Sequence, residues 1–342
     1  MTDGDWPMLL FDNARSGGQL QRPWRAPQKS LWQTRVEGWV RSAPVLQAGL
    51  LYVASQGGHL TALDARTGKE RWRFKSAAPI HSTPSLSAGH VLVTSDDGTL
   101  YAIDSTSGAK RWQLTTGAEI WASPILSNGT VFFGDADGRM HAVNFASGAE
   151  RWKRELGGKV CSTACVAGQR LFVGTGDANV FCMDVTSGET LWKTPTVKGI
   201  DSSPAVANGT LFLGSLDFFL YAMDTASGAV RWKYEAELGI SSSPAVSGDL
   251  VVFGCKAGML RALNAQTGKV VWAQPLGQAI TAPPVISGST VWIQSGIVHA
   301  LNLADGKVLW WARLGNSLQS APAITDSAVY LTSMEGDVYA LA

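Results

Sequence analysis

Residues 202–232 read SSPAVANGTLFLGSLDFFLYAMDTASGAVRW. The stretch opens on a small-small-Pro step, Ser202-Ser203-Pro204, and closes on the turn Ser227-Gly228 followed by Trp232. The same order returns along the chain. Trp32, Trp72, Trp112, Trp152, Trp192, Trp232, Trp272 and Trp310 follow one another at 40 residues, with 38 for the last step. The small-small-Pro step precedes most of them, at Ser42-Ala43-Pro44, Ser82-Thr83-Pro84 and Ser243-Pro244 among others. A fixed period of this length is the mark of a repeat architecture.

One unit, residues 80–115, shows the content of the repeat. Residues 80–86 form a first short run, and 90–95 a β-branched second run. Residues 99–104 alternate apolar and polar as a third strand, and 110–114 form a fourth. Asp96-Asp97-Gly98 and Ser105-Thr106-Ser107-Gly108 are the turns between them. An Asp or Asn stands before each later turn (Asp64, Asp104, Asn144, Asp184, Asp224, Asn264, Asn302), where its side chain can bond the downstream backbone. Four strands in about 40 residues make a β-propeller blade. The repeated Trp is then the residue that fills the gap between blades.

Seven complete units run from Val40 to Trp311. The eighth begins at Leu318, and the chain stops after its third strand, near Leu341. Its missing fourth strand, with its Trp, is found at the other end, in residues 30–36. The expected fold is all-β: an eight-bladed β-propeller of four-stranded antiparallel blades, closed by the N-terminal strand completing the last blade. Residues 1–29 are expected as a lead-in, with Trp6 and Trp24 packed on the rim, and 30–342 as one domain.

Composition narrows the function. The chain has 342 residues, 28 Lys+Arg against 27 Asp+Glu, and a net charge of +1. That balance argues against nucleic acid as a partner. No apolar run reaches the length of a membrane span, and residues 1–6 carry no signal-like pattern, so a cytoplasmic, monomeric protein is expected. Cys161, Cys165, Cys182 and Cys255 form no C-x-x-C pair and are expected as free thiols, Cys165 and Cys182 in the core. His59, His90, His141 and His299 show no metal-ligand spacing and are read as structural. No metal or cofactor is expected.

The 202–232 pattern resembles the repeat of the pyrroloquinoline quinone (PQQ)-type eight-bladed propellers, and DWPMLLFDNARSGG at 5–18 resembles the lead-in before them. The resemblance covers nearly the whole chain. It implies the fold, not one activity, because the family includes quinoprotein dehydrogenases, an outer-membrane assembly lipoprotein and sensor domains. In the dehydrogenases the quinone sits over a Trp near the channel, beside calcium and an Asp base, under a vicinal disulfide. Trp121, Asp201 and Arg41 are the residues that could take those roles, but no Cys-Cys pair occurs in this sequence.

Positions shared by all copies answer to the fold, and positions that differ are free for function. The residue before the small-small step varies most: Arg41, His81, Trp121, Cys161, Asp201, Ser241, Thr281 and Gln319. In a propeller it lies where the first strand enters the channel. A guanidinium, imidazole, indole, thiol and carboxylate fall in blades 1 to 5. A second set, on the turn after strand two, includes Gln56, Asp96, Asp97, Asp135, Asp137, Asp177, Asp217, Lys256, Met334 and Glu335. There Phe218-Phe219 replaces the usual Gly-x with two aromatics expected to be exposed. Trp39 lies beside the same channel mouth. The expected function is a non-catalytic binding scaffold whose top face takes a protein partner or small molecule. Candidate ligand-binding residues are Arg41, His81, Trp121, Cys161, Asp201, Trp39, Phe218, Phe219, Lys256 and Gln319. The alternative is a cofactor-independent enzyme in the funnel, with His81 as base and Asp201 or Arg41 orienting charge; a PQQ-dependent dehydrogenase is a third.

Overall fold

The computed structural model describes residues 26–315 and 317–342. Of the expected lead-in over 1–29, residues 1–25, with Trp6 and Trp24, lie outside the described residues. The rest forms eight four-stranded antiparallel sheets arranged as a propeller, each built from strands consecutive in the chain, with one exception. Blade 5 is typical, with strands Ala205–Ala207, Thr210–Gly214, Phe219–Asp224 and Val230–Glu235. The exception is blade 8, where Ser30–Arg35 lies against Asp337–Leu341, pairing Trp32 with Ala340 and Arg35 with Asp337. Blades 1 to 7 are numbered from Val45–Gln47 onward. Among the described residues no helix is long and apolar enough to cross a membrane.

The first strand is shorter than its apolar run. In blade 2 it spans Ser85–Ser87, and residues 80–84 form an approach loop. The cause is local. Pro84 has no N–H for a ladder, and the Ile80 amide donates to Ser55 O of the preceding blade at 3.2 Å. The small residues of the step have their own partners. Ser82 Oγ donates to Thr94 O, and the Thr83 amide donates to Ser123 Oγ of the next blade at 2.9 Å. This amide-to-hydroxyl relay runs from Ala43 through Thr83, Ser123, Thr163 and Ser203 to Ser243. Blade 7 carries Pro283 at this position, with no hydroxyl to accept the Ser243 amide.

Each blade buries its faces against its neighbours. One cluster joins Phe172, Val180 and Cys182 of blade 4 to Ile200, Leu211 and Leu213 of blade 5. Cys165 and Cys182 are fully buried, and none of the four cysteines forms a disulfide. The repeated Trp docks on the next blade. Trp192 Nε1 donates to Thr225 O at 3.1 Å, and its ring lies over Gly228, whose φ is +73°. A β-carbon on Gly228 would stand 2.6 Å from Trp192 Cε3. The docking site thus selects glycine twice, for its backbone angle and for the absent side chain.

The outer turns hold a set of aspartates whose ionisation is linked to folding. Asp64 accepts from Arg71 at 2.7 Å and from Thr67, which holds its carboxyl down to about 2. Arg111 and the Ser107 amide hold Asp104 well below the usual range, and Arg231 and Ser227 do the same for Asp224. The amides of Ser187 and Thr186 lower Asp184. A depressed carboxyl stabilises the fold above its unfolded value, near pH 4, and that contribution is lost as the pH falls toward 2. Asn264 already makes the same turn bonds from Oδ1. Replacing all four aspartates by Asn is therefore expected to flatten the fall in melting temperature between about pH 4 and pH 2. Melting curves parallel to those of the parent chain across that window would refute the linkage.

Candidate functional site

The approach loops and the turns after strand two meet on one face. The Gln56 amide donates to Trp39 O at 2.7 Å, Asp96 to Pro79 O at 3.0 Å, and Leu216 to Gly199 O at 3.1 Å. A buried aliphatic residue precedes each variable position: Ile80, Ile120, Val160, Ile200 and Ile240 are at most 1% exposed. The variable side chains therefore stand on a fixed rim. Arg41, Trp121 and Asp201 belong to blades 1, 3 and 5, so the groups that meet are those of adjacent blades.

In blades 1 and 2, His81 bridges two turns. Its Nε2 lies 3.1 Å from Asp96 Oδ2, and its Nδ1 3.1 Å from Gln56 Nε2. With the Nε2 proton on Asp96, Nδ1 accepts from the Gln56 amide, and both ring nitrogens are occupied. Burial raises the Asp96 carboxyl above its usual range; His81 opposes the shift and Glu119 adds to it. Asp96 Oδ1 is enclosed without a partner. The residues that touch His81 are thus Gln56 and Asp96. Arg41 and Asp201 are exposed, and neither makes a side-chain hydrogen bond among the described residues.

In blades 3 to 5, Lys159 Nζ lies 5.3 Å from the centre of the Trp121 ring. Burial pushes the Cys161 thiol up to about 11; Asp201 adds to the shift and Lys159 opposes it. Cys161 is consequently a protonated thiol at neutral pH and a poor nucleophile.

Phe218 and Phe219 are half-buried rather than fully exposed, and lysines cover them. Lys198 Nζ is 4.9 Å from the Phe218 ring and Lys233 Nζ 4.3 Å from the Phe219 ring. Lys256 is exposed, and its amide donates to Gly239 O. Gln319 and Thr281 are exposed, while Ser241 Oγ is enclosed without a partner. At the seam between blades 8 and 1, a cleft of about 520 Å³ is lined by Arg35, Val36, Glu37, Gly38, Trp39, Arg73 and Glu335. Trp39 is 58% exposed there.

Residues outside the variable positions also shape the face. No repeated pattern marks Lys198 and Lys233, because their placement depends on where long side chains turn. The buried Arg261 pairs with Glu237 and lies 3.7 Å from Cys255 Sγ. Its signal was a charge at a strand position held by Tyr101 and Tyr221 in other blades.

Fold and face together define a closed eight-bladed propeller with a structurally uniform frame and a chemically varied loop surface. Three successive matches to the model of the outer membrane protein assembly factor BamB, over residues 13–164, 146–296 and 277–342, cover nearly the whole chain. The protein belongs to that family. No curated protein matches it significantly. Among solved structures, BamB from Moraxella catarrhalis superposes with a TM-score of 0.80 at 18% identity, over 92% of this chain and 99% of that one. The computationally designed Ika8 protein gives 0.81 at 17%, over 90% and 98%. Quinohemoprotein alcohol dehydrogenase from Comamonas testosteroni gives 0.84 at 15%, over 99% and 80%. Identities this low establish the shared fold alone.

The dehydrogenase likeness raises the question of a quinone site. The residues present do not fit one. The Trp121 ring already carries Lys159, and Cys161 and Cys165 are not adjacent in sequence and form no disulfide. Among the described residues no three His, Cys, Asp or Glu side chains converge as a metal-ligand set.

Proposed function

We propose that this protein is a binding scaffold that presents its loop face to a protein partner. The arrangement around His81 carries the reading. The most reactive side chain of the variable ring has both nitrogens engaged by Gln56 and Asp96, and Arg41 and Asp201 stand apart from it. Groups satisfied by one another form a shaped, rigid surface rather than a set aimed at a reacting atom. The family's description as an assembly factor supports the same reading.

Site-specific photo-crosslinking in the cells that make the protein tests it. A benzophenone side chain at position 56, 256 or 319 is expected to capture one protein of discrete mass. The same group at Arg71 or Arg111, exposed on the outer rim, is expected to capture none. Adducts from the rim alone, or from neither surface, would sink the proposal. The enzyme alternative draws on the raised Asp96 carboxyl beside His81, since perturbed groups cluster at reaction sites. It requires a free His81 nitrogen, which the Gln56 contact withholds.

A further inference from the structure

We propose that the blade 5 sector of the loop face docks an acidic protein segment bearing large apolar side chains; this rests on the scaffold reading and names its partner's chemistry. The sector consists of Phe218, Phe219, Lys198, Lys233, Val197 and Leu238.

Backbone strain is the first observation. Phe218 has φ +81°. In the other blades that position is held by glycines with φ between +76° and +93°, such as Gly58, Gly98, Gly138, Gly258 and Gly336, or by Ala178 at +66°. A bulky residue is disfavoured there. The ring repays little of this in the core: Phe219 packs against the buried cluster with Tyr221, while Phe218 joins none of the buried clusters among the described residues. An aromatic kept at a strained surface position is better explained by something it binds than by the fold.

The second observation is apolar surface. Val197 is 76% exposed and Leu238 45%. Both border the Phe218 turn: the Val197 amide donates to Asp217 Oδ2 at 2.9 Å, and the Ala236 amide to Phe218 O at 2.8 Å. The position of Val197 is Ala77, Gly117, Gly157 or Gly277 in other approach loops; that of Leu238 is Gly38, Ala78, Ala118 or Gly158. Two adjacent loops therefore present aliphatic side chains where others present almost none.

Charge fixes the partner's sign. Lys198 and Lys233 lie over the two rings and pair with no carboxylate among the described residues. The acids nearby are largely committed. Asp217 accepts from the Val197 amide, the Phe219 amide and Tyr221 Oη. Glu237 is held by Arg261, and Asp201 lies toward Cys161 on the inner ring. Glu235, opposite Phe219 in the register, leaves the pair of lysines in excess. Aromatic anchors flanked by aliphatic residues and free ammonium groups match a segment that alternates carboxylates with apolar side chains.

Fluorescein-labelled peptides of Glu-Leu repeats, with Lys-Leu and Glu-Ser repeats as controls, test this by anisotropy on the full chain. The Glu-Leu peptide is expected to bind at least about tenfold more tightly than either control. K198Q/K233Q is expected to weaken it at least about tenfold and to remove its salt dependence. Phe218→Gly installs the residue of the sister blades. It is expected to weaken binding comparably while moving the melting temperature by no more than about 2 °C. Equal binding of the Lys-Leu peptide, or unchanged binding in both variants, overturns the proposal. If Phe218→Gly fails to fold, K198Q/K233Q decides alone. Glu-Leu binding that is lost instead in His81→Gln overturns this patch yet leaves the scaffold standing, whereas the crosslinking outcome judges the scaffold independently.

Discussion

Trp32→Ala is expected to lower the stability of the ring by about 3–5 kcal/mol, the usual range for removing a large packed aromatic. Trp32 Nε1 donates to Ala65 O at 2.9 Å, its ring covers Gly68, and it lies 6.0 Å from Tyr330, whose hydroxyl donates to the same carbonyl. These contacts join the N-terminal strand of blade 8 to blade 1. Trp192→Ala removes an equivalent dock, but its strand is covalently continuous on both sides of the gap. The two variants should therefore differ in where they loosen. In Trp32→Ala, amide hydrogen exchange should accelerate first at Asp337–Leu341, the strand paired with Ser30–Arg35. In Trp192→Ala the fast amides should lie in blades 4 and 5. Matching exchange maps would show that the seam is no weaker than any other joint.

The second large effect separates two costs that glycine normally hides together. Gly129 and Gly148 both belong to blade 3 and have φ of +70° and +72°. A β-carbon on Gly129 meets nothing within 4 Å, whereas one on Gly148 would lie 2.7 Å from Trp112 Cε3. Gly129→Ala should cost about 1 kcal/mol, the backbone penalty alone. Gly148→Ala should cost about 1–3 kcal/mol more, because the Trp112 ring must move out of its dock. Urea denaturation of both variants measures the difference. Equal midpoints would mean that the Trp ring yields freely, and the docking account of the repeat would have to be given up.

Much of this frame could be read from the chain because the forces behind it are periodic. The Trp, the turn glycine and the small-small step act in every blade, so each is written into the sequence many times. The seam was legible for the same reason, since a blade lacking its Trp at one end required one from the other. The start of the first strand was misplaced by about five residues in blade 2, because Ile80 looks like a strand residue but bonds backward to Ser55. The face was legible only as positions. His81 was visible as a variable residue, yet its partners Gln56 and Asp96 come from two different turns, and no local pattern connects them. Phe218 was visible because a glycine was missing. The lysines over the two rings were not, because the repeat fixes their backbone but not the path of their side chains.

The seam also sets the order in which the molecule can be finished during synthesis. Ser30–Arg35 leaves the ribosome seven blades ahead of its pairing partner Asp337–Leu341. Blades 1 to 7 can each be completed from neighbouring sequence as they emerge. The strand Ser30–Arg35 has to wait, unpaired, until the third strand of blade 8 has emerged. A chain released before Asp337 has no partner to offer it, so an interrupted product keeps an open gap on which a chaperone or protease can act. Closure of the ring thus reports that translation has passed Leu341.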